Sequence, residues 1–237
     1  MPAEWPNTID GAKNQSTGLT PAVARALAKL PRLRRLTLRG VETSAAAIDA
    51  LPAGLEHLGL LASPQAGADV FAALMRFPHL RSVELDAGDR QAVWGGARFV
   101  AEYETAIERF FAEAPPREAV WKAQAELLRK VAPSELAYVG NIPDAVREAV
   151  AVLPLQELRL CRPRPRELAL LGELPGLRRV TIDGCDLRRI DLDALVAMPN
   201  LAQLTLRWCN IWPRMGVASI EQVRESLPRT KVTTHGF

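Results

Sequence analysis

The segment Leu201-Ala-Gln-Leu204-Thr-Leu206-Arg-Trp-Cys209-Asn-Ile211 and, 24 residues before it, Leu177-Arg-Arg-Val180-Thr-Ile182-Asp-Gly-Cys185-Asp-Leu187 share one pattern. Both place aliphatic side chains at positions 1, 4, 6 and 11 and a cysteine at position 9. A pattern repeated at fixed spacing decides the architecture, because each short unit can bury its apolar face only against the next one. Weaker copies start at Leu33, Leu55, Leu80 and Leu155, and a further one at Pro133 carries Asn141 on the ninth position. From Leu33 onward the starts are separated by 22, 25, 53, 22, 22 and 24 residues, so one interval is about twice the others.

Within a copy, Leu33 and Leu36 have opposite parity and cannot share one face of a single strand. All three leucines of Leu33, Leu36 and Leu38 turn inward only if the chain bends into a short strand near residue 34 and out again after 38. Punctuation between copies is uniform. An apolar residue followed by proline recurs at Leu30-Pro31, Leu51-Pro52, Phe77-Pro78, Leu153-Pro154, Leu174-Pro175, Met198-Pro199 and Leu227-Pro228. Proline lacks the amide donor and biases the preceding residue away from helix, so each pair ends a helix and launches the next strand. Thr20-Pro21 and Ser63-Pro64 read as helix starts, with a capping hydroxyl before a first-turn proline. The stretches between, such as Ala22 to Leu30 and Asp191 to Met198, are two to three helical turns long and depend on packing for stability.

The pattern L-x-x-L-x-L-x-x-C/N-x-L resembles the leucine-rich-repeat family over roughly residues 20 to 228, the long interval excepted. The resemblance implies an α/β solenoid: a curved parallel sheet on the concave face, short helices on the convex face, and a buried Asn or Cys in the turn after each strand. The expected organisation is a cap or arm over 1–19, first repeats over 20–90, a helical insertion over 91–131, later repeats over 132–218 and a C-terminal cap over 219–237. Inside the long interval, Phe99, Tyr103, Ile107 and Phe110, and then Val120, Trp121, Ala125, Leu128 and Val131, follow helical spacing. Two helices separated by Pro115-Pro116 are expected there, with a degenerate repeat whose strand lies near Phe110 as the alternative. Trp94, Phe111 and Tyr138 add to a local aromatic mini-core.

The chain has 30 Lys plus Arg against 27 Asp plus Glu, a formal net charge of +3, without the cationic excess of a dedicated nucleic-acid binder. No stretch approaches a membrane span and the first residues lack a secretory signal, so a cytoplasmic protein, bacterial by its Arg-, Ala- and Leu-rich composition, is expected. Three cysteines do not suggest a disulfide framework. Cys161, Cys185 and Cys209 are evenly spaced, but Cys161 sits at the seventh motif position and the other two at the ninth, and no C-x-x-C pair or nearby His completes a metal site. No G-x-S-x-G, H-E-x-x-H or phosphate-loop pattern occurs, so no catalytic residue, cofactor, metal or small-molecule substrate is expected.

The surface then carries the function. The third, fifth and seventh motif positions project from the concave face as three stripes: Arg35, His57, Ser82, Glu135, Glu157, Arg179, Gln203; Thr37, Gly59, Glu84, Ala137, Arg159, Thr181, Thr205; and Arg39, Leu61, Asp86, Val139, Cys161, Asp183, Arg207. Charges of both signs alternate, which suits a protein partner better than a phosphate backbone. Partner contacts are expected at Arg35, Arg39, Glu84, Asp86, Arg159, Arg179, Asp183, Arg207 and Trp208, the last because tryptophan beside arginine is hot-spot composition. His57 is expected to be solvent-exposed, and Trp212 either joins Trp208 at an interface or packs under the C-terminal cap. The run Arg162-Pro-Arg-Pro-Arg166 reads as a stiff, soluble loop. These features predict a non-enzymatic interaction scaffold: an adaptor, inhibitor or immunity-like factor. The alternatives are a GTPase-activator-like or effector protein using one arginine, and nucleic-acid binding through the arginine edges.

Overall fold

Every copy of the pattern becomes a five-residue strand. A computed structural model describes residues 8–10, 18–61, 66–87, 117–185, 192–209 and 220–236. Its strands are β1 (Thr8–Asp10), β2 (Arg35–Arg39), β3 (His57–Leu61), β4 (Ser82–Asp86), β5 (Glu135–Val139), β6 (Glu157–Cys161), β7 (Arg179–Asp183), β8 (Gln203–Arg207) and β9 (Lys231–His235). They form one open sheet in chain order, and every neighbouring pair is parallel. The fold is therefore α/β, with one sequentially wound parallel sheet.

Register follows the motif. The fourth positions align in a single row, Leu36, Leu58, Val83, Leu136, Leu158, Val180, Leu204 and Val232. All but Val232 are buried, as is the sixth-position row through Leu38, Leu60, Leu85, Tyr138, Leu160, Ile182 and Leu206. A one-residue slip would turn both rows out to solvent, so the aliphatic pattern fixes the register.

Between the strands run α1 (Pro21–Ala28), α2 (Ala45–Asp49), α3 (Ala68–Leu74), α4 (Arg117–Val131), α5 (Asp144–Val150), α6 (Pro165–Ala169, continued by a 3-10 turn Leu170–Glu173), α7 (Leu192–Val196) and α8 (Ile220–Ser226). Sequential parallel strands joined by right-handed crossovers put all these helices on one face. There Ala24, Ile48, Phe71, Leu128, Val146, Leu171, Leu195 and Val223 close the core over the two strand rows. The apolar-Pro pairs act as turns: the carbonyls of Leu30, Phe77, Leu174, Met198 and Leu227 each accept from the amide three residues on, at 3.0–3.5 Å. Proline at the second position of such a turn is pre-set in φ, which redirects the chain from helix to strand.

Thr20 caps α1, its hydroxyl accepting from the Val23 amide at 3.2 Å. Ser63 and Pro64 lie outside the described residues, and the helix after β3 starts only at Ala68, behind Gly67. In the long interval a helix forms over Arg117–Val131, while the expected helix over 94–114 lies outside the described residues. Helix α4 packs between α3 and α5. It thus stands in the row of crossover helices as the partner of its own strand pair. Strands β4 and β5 are direct neighbours over their full length, so no strand from the interval stands between them. Three polar contacts tie α4 to the sheet: Trp121 Nε1 donates to the Ala87 carbonyl (3.2 Å), Gln124 Nε2 to the Asp86 carbonyl (3.0 Å), and the Tyr138 hydroxyl to Gln124 Oε1 (3.1 Å). No helix among the described residues is long and apolar enough to cross a membrane.

Candidate functional site

The three odd-position stripes share the helix-free face. Arg35, Arg39 and Arg179 are exposed there and Arg159 and Arg207 partly so, while Trp208, the eighth-position residue, is exposed in the turn at the carboxyl end of β8. Glu84, Asp86 and Asp183 are instead buried, although a partner was expected to meet them. The physical reason is reach. Neighbouring strands lie about 4.8 Å apart, so a short acid is enclosed by the longer side chains beside it.

His57 corrects the expectation of exposure: only 3% of it is accessible. Its Nδ1 lies 2.7 Å from Ser82 Oγ on β4 and its Nε2 3.4 Å from Thr37 Oγ1 on β2. The Thr37 hydroxyl also donates to Glu84 Oε2 (3.4 Å), reaching across the intervening strand. Gly59 makes that possible, since a Cβ there would sit 2.6 Å from Glu84 Oε2 and 2.8 Å from Thr37 Cγ2. Burial, helped by the Arg35 charge, lowers the imidazole to about 4, so His57 is neutral at pH 7. Burial raises the Glu84 carboxyl, opposed by the Arg159 charge and the Thr37 bond. A serine, a histidine and an acid are thus adjacent, but His57 Nε2 is 3.9 Å from Glu84 Oε1. The amides of these inner strands are engaged in the ladder and offer no preorganised donors to an oxyanion. The cluster acts as a satisfied buried network. Its members are neighbours in the third- and fifth-position stripes, which was the available signal.

A second cluster centres on Asp183. Arg159 Nε donates to its Oδ2 at 2.5 Å, the Cys161 thiol donates to the same oxygen at 3.4 Å, and Arg207 Nε lies 4.0 Å from Oδ1. Burial and the Asp183 charge push the Cys161 thiol up to about 12, which keeps it an unreactive thiol. Cys185 and Cys209 are buried, with their sulfurs 2.9 Å apart. The Cys209 thiol also reaches the carbonyls of Ile182 and Arg207. No group of three metal-ligating side chains occurs among the described residues.

Left-handed residues recur directly after the strands. Gly40, Gly140, Gly184 and Gly236 take φ of +63°, +87°, +65° and +68°, but Arg162 and Trp208 hold the same place at +56° and +52°. Glycine adopts this conformation freely, whereas a residue with a Cβ is strained in it by about 1 kcal/mol. Both substituted turns are exposed, Trp208 to 72%. Each side chain lies against the glycine of the next turn: Arg162 Cγ is 3.4 Å from a Cβ position built on Gly184, and the Trp208 ring 2.6 Å from one built on Gly236. Arg162→Gly should therefore leave stability unchanged or raise it by up to about 1 kcal/mol, read from urea denaturation, whereas an arginine replaced elsewhere on a strand end gains nothing.

The basic run is more engaged than a free loop. Glu167, fully buried, accepts from the Arg164 amide (2.7 Å) and from Arg166 Nε (2.9 Å). Arg166 also reaches the Ile142 carbonyl (3.1 Å) and Asp144 (3.4 Å). Trp212 lies outside the described residues. No family model matches the chain, and no curated protein matches it.

Proposed function

We propose that the chain is a leucine-rich-repeat scaffold without catalytic activity, which binds a protein partner on the helix-free face of its sheet. Its anchor is the rim formed by Arg179, Arg207 and Trp208. The observation that carries this reading is Trp208: a tryptophan 72% exposed, held out of the core in a left-handed turn where four of the equivalent turns use glycine. Strained, exposed residues of this kind persist where they serve a contact, and tryptophan flanked by arginine is the composition of interface hot spots. Arg35 and Arg39, at the opposite end of the same face, would extend the footprint. The buried acid Asp183 acts beneath it by holding arginines in place: Arg159 and Arg207 both approach it.

Affinity capture from the source cells, with wild-type protein and with the triple variant Arg179→Ser, Arg207→Ser and Trp208→Gly, tests this. The wild type should retain a stoichiometric protein partner. The variant, with an unchanged circular dichroism spectrum, should lose it by at least about a hundredfold in affinity, or about 3 kcal/mol across three rim residues. Equal capture by both proteins removes this face as the site, and absence of any saturable partner removes the scaffold reading.

A further inference from the structure

Cys185 and Cys209 stand at the ninth position of the two copies that carry the whole pattern, in the turns that follow β7 and β8. These turns stay in register past the strands. Asp183 pairs with Arg207, and one residue on, the Gly184 amide still donates to the Arg207 carbonyl at 2.8 Å. Adjacent strands run about 4.8 Å apart, inside the range of about 4.4–6.8 Å between α-carbons that a disulfide spans. The side chains complete the approach: both cysteines are turned into the core, 5% and 2% accessible, with their sulfurs 2.9 Å apart. A sulfur–sulfur bond of about 2.05 Å needs less than about 1 Å of further approach, which small rotations about χ1 supply.

The surroundings decide which sulfur reacts first. The Cys209 thiol is held below its ordinary value, chiefly by the hydrogen bond from Cys185 and against the opposing effect of burial. Thiolate character is what makes a sulfur attack a peroxide. Cys161 has a different setting. It lies at the seventh position on the helix-free face, its thiol bonded to Asp183 Oδ2, and burial with the Asp183 charge keeps it protonated. The three cysteines therefore divide into one pair in contact and one that serves as an internal control.

We propose that Cys185 and Cys209 form an oxidation site, at which hydrogen peroxide converts the two thiols into a disulfide that staples the β7 and β8 repeats together. In the first step the Cys209 sulfur attacks one peroxide oxygen, the O–O bond breaks, and the leaving hydroxide takes up the thiol proton as water. The product is a sulfenic acid. In the second step the Cys185 sulfur attacks the Cys209 sulfur, the S–O bond breaks, and the hydroxide leaves with the Cys185 proton as a second water. Two electrons pass from the sulfurs to the peroxide oxygens, so one peroxide is consumed per disulfide. Hydrogen peroxide is close to water in size, which suits thiols this enclosed. The staple falls near the end of the stack, where β8 has only β9 beyond it and a repeat gains least from its neighbours. The proposal is independent of the partner rim, and either can fail alone.

Treatment of the native full chain with hydrogen peroxide, followed by alkylation of the remaining thiols and peptide mass mapping, tests it. Expected is a fall from three free thiols to one, with one cross-linked peptide pair joining Cys185 to Cys209 and Cys161 still alkylated. A dithiol reductant should restore all three. The variant Cys161→Ser leaves both members of the pair in place and should cross-link as the wild type does, so the test does not hinge on the folding of buried-cysteine variants. In Cys185→Ala the Cys209 sulfur should stop at the sulfenic acid, trapped by dimedone. Amide exchange at Leu204 and Leu206 on β8 should slow at least about threefold on oxidation. Survival of all three thiols, a cross-link to Cys161, oxidation of Cys209 to the sulfinic acid without a cross-link, or unchanged exchange each overturns the proposal.

Discussion

Leu160→Ala should lower stability by about 3–4 kcal/mol, read as a shift of the urea midpoint at constant slope. Leu160 lies at the middle of the stack, 1% exposed, with Tyr138 and Ile182 at its register positions on the two flanking strands. Truncation there removes most of an aliphatic side chain and leaves a cavity whose walls are themselves held in rows, so little collapse can fill it. The matching truncation at the edge is milder. Val232, in the same apolar face of β9, is only half-buried and has β8 on one side, so Val232→Ala should cost about 1 kcal/mol or less. Equal losses at the two positions would contradict a stack stabilised by neighbour-to-neighbour burial.

The second large effect is acid sensitivity from His57. Its imidazole is lowered from 6.5 to about 4 by burial and by the Arg35 charge. The unfolded chain therefore takes up a proton below about pH 6.5 that the folded chain refuses until about pH 4. Stability from this group is complete above pH 6.5 and drains away as pH falls to 4, by roughly 3 kcal/mol at about 1.4 kcal/mol per pH unit. Glu84 acts in the opposite sense. Its raised carboxyl lets the folded state bind a proton before the unfolded state does, so acidification returns part of the loss. The groups facing His57 are Thr37, Ser82 and Glu84, with Arg35 nearby. Denaturation curves between pH 7 and pH 4 should show a steep loss in wild type and a shallower one in His57→Gln, which keeps hydrogen-bonding capacity without the titration. Parallel profiles would mean that His57 does not govern the acid limb.

The strands were legible in the sequence because their determinants are local and redundant. Leu177 to Leu187 and Leu201 to Ile211 carry the whole pattern, and the apolar-Pro pairs mark where each strand is launched. The start of α3 was less legible. Its first residue, Ala68, follows Gly67, which has no capping side chain, and Ser63-Pro64 lies outside the described residues. Helix α4 was visible as a helix but not as a member of the crossover row, since periodicity reports a face and not a neighbour. The face of the sheet was harder still. Stripe positions place His57, Glu84 and Asp183 on the side of the sheet away from the helices, but that placement does not by itself make them exposed. What encloses them is lateral: Ser82 and Thr37 around the imidazole, the missing side chain of Gly59 beneath the Thr37–Glu84 bond, and Arg159 over Asp183. Such enclosure depends on side-chain lengths on adjacent strands, hence on register, which single-strand reasoning leaves undetermined. Trp208 was singled out for its neighbours in sequence; the left-handed turn that holds it outward became visible only in three dimensions.

Strand order also has a consequence for how the chain folds. Each strand must find only its predecessor, so most of the sheet can assemble by short searches along the chain, in either direction from any nucleus. The joint between β4 and β5 is the exception. Its crossover runs over residues 87–134, against 162–178 between β6 and β7. Closing the longer loop costs about 1 kcal/mol more in chain entropy. At that joint Trp121, Gln124 and Tyr138 bind α4 to both strands, with the Gln124 amide bonded to the Asp86 carbonyl on one side and the Tyr138 hydroxyl on the other. The slowest search in the molecule thus ends on its most directional contacts, and the two halves of the stack are joined by a latch where the rest of the sheet needs only a zipper.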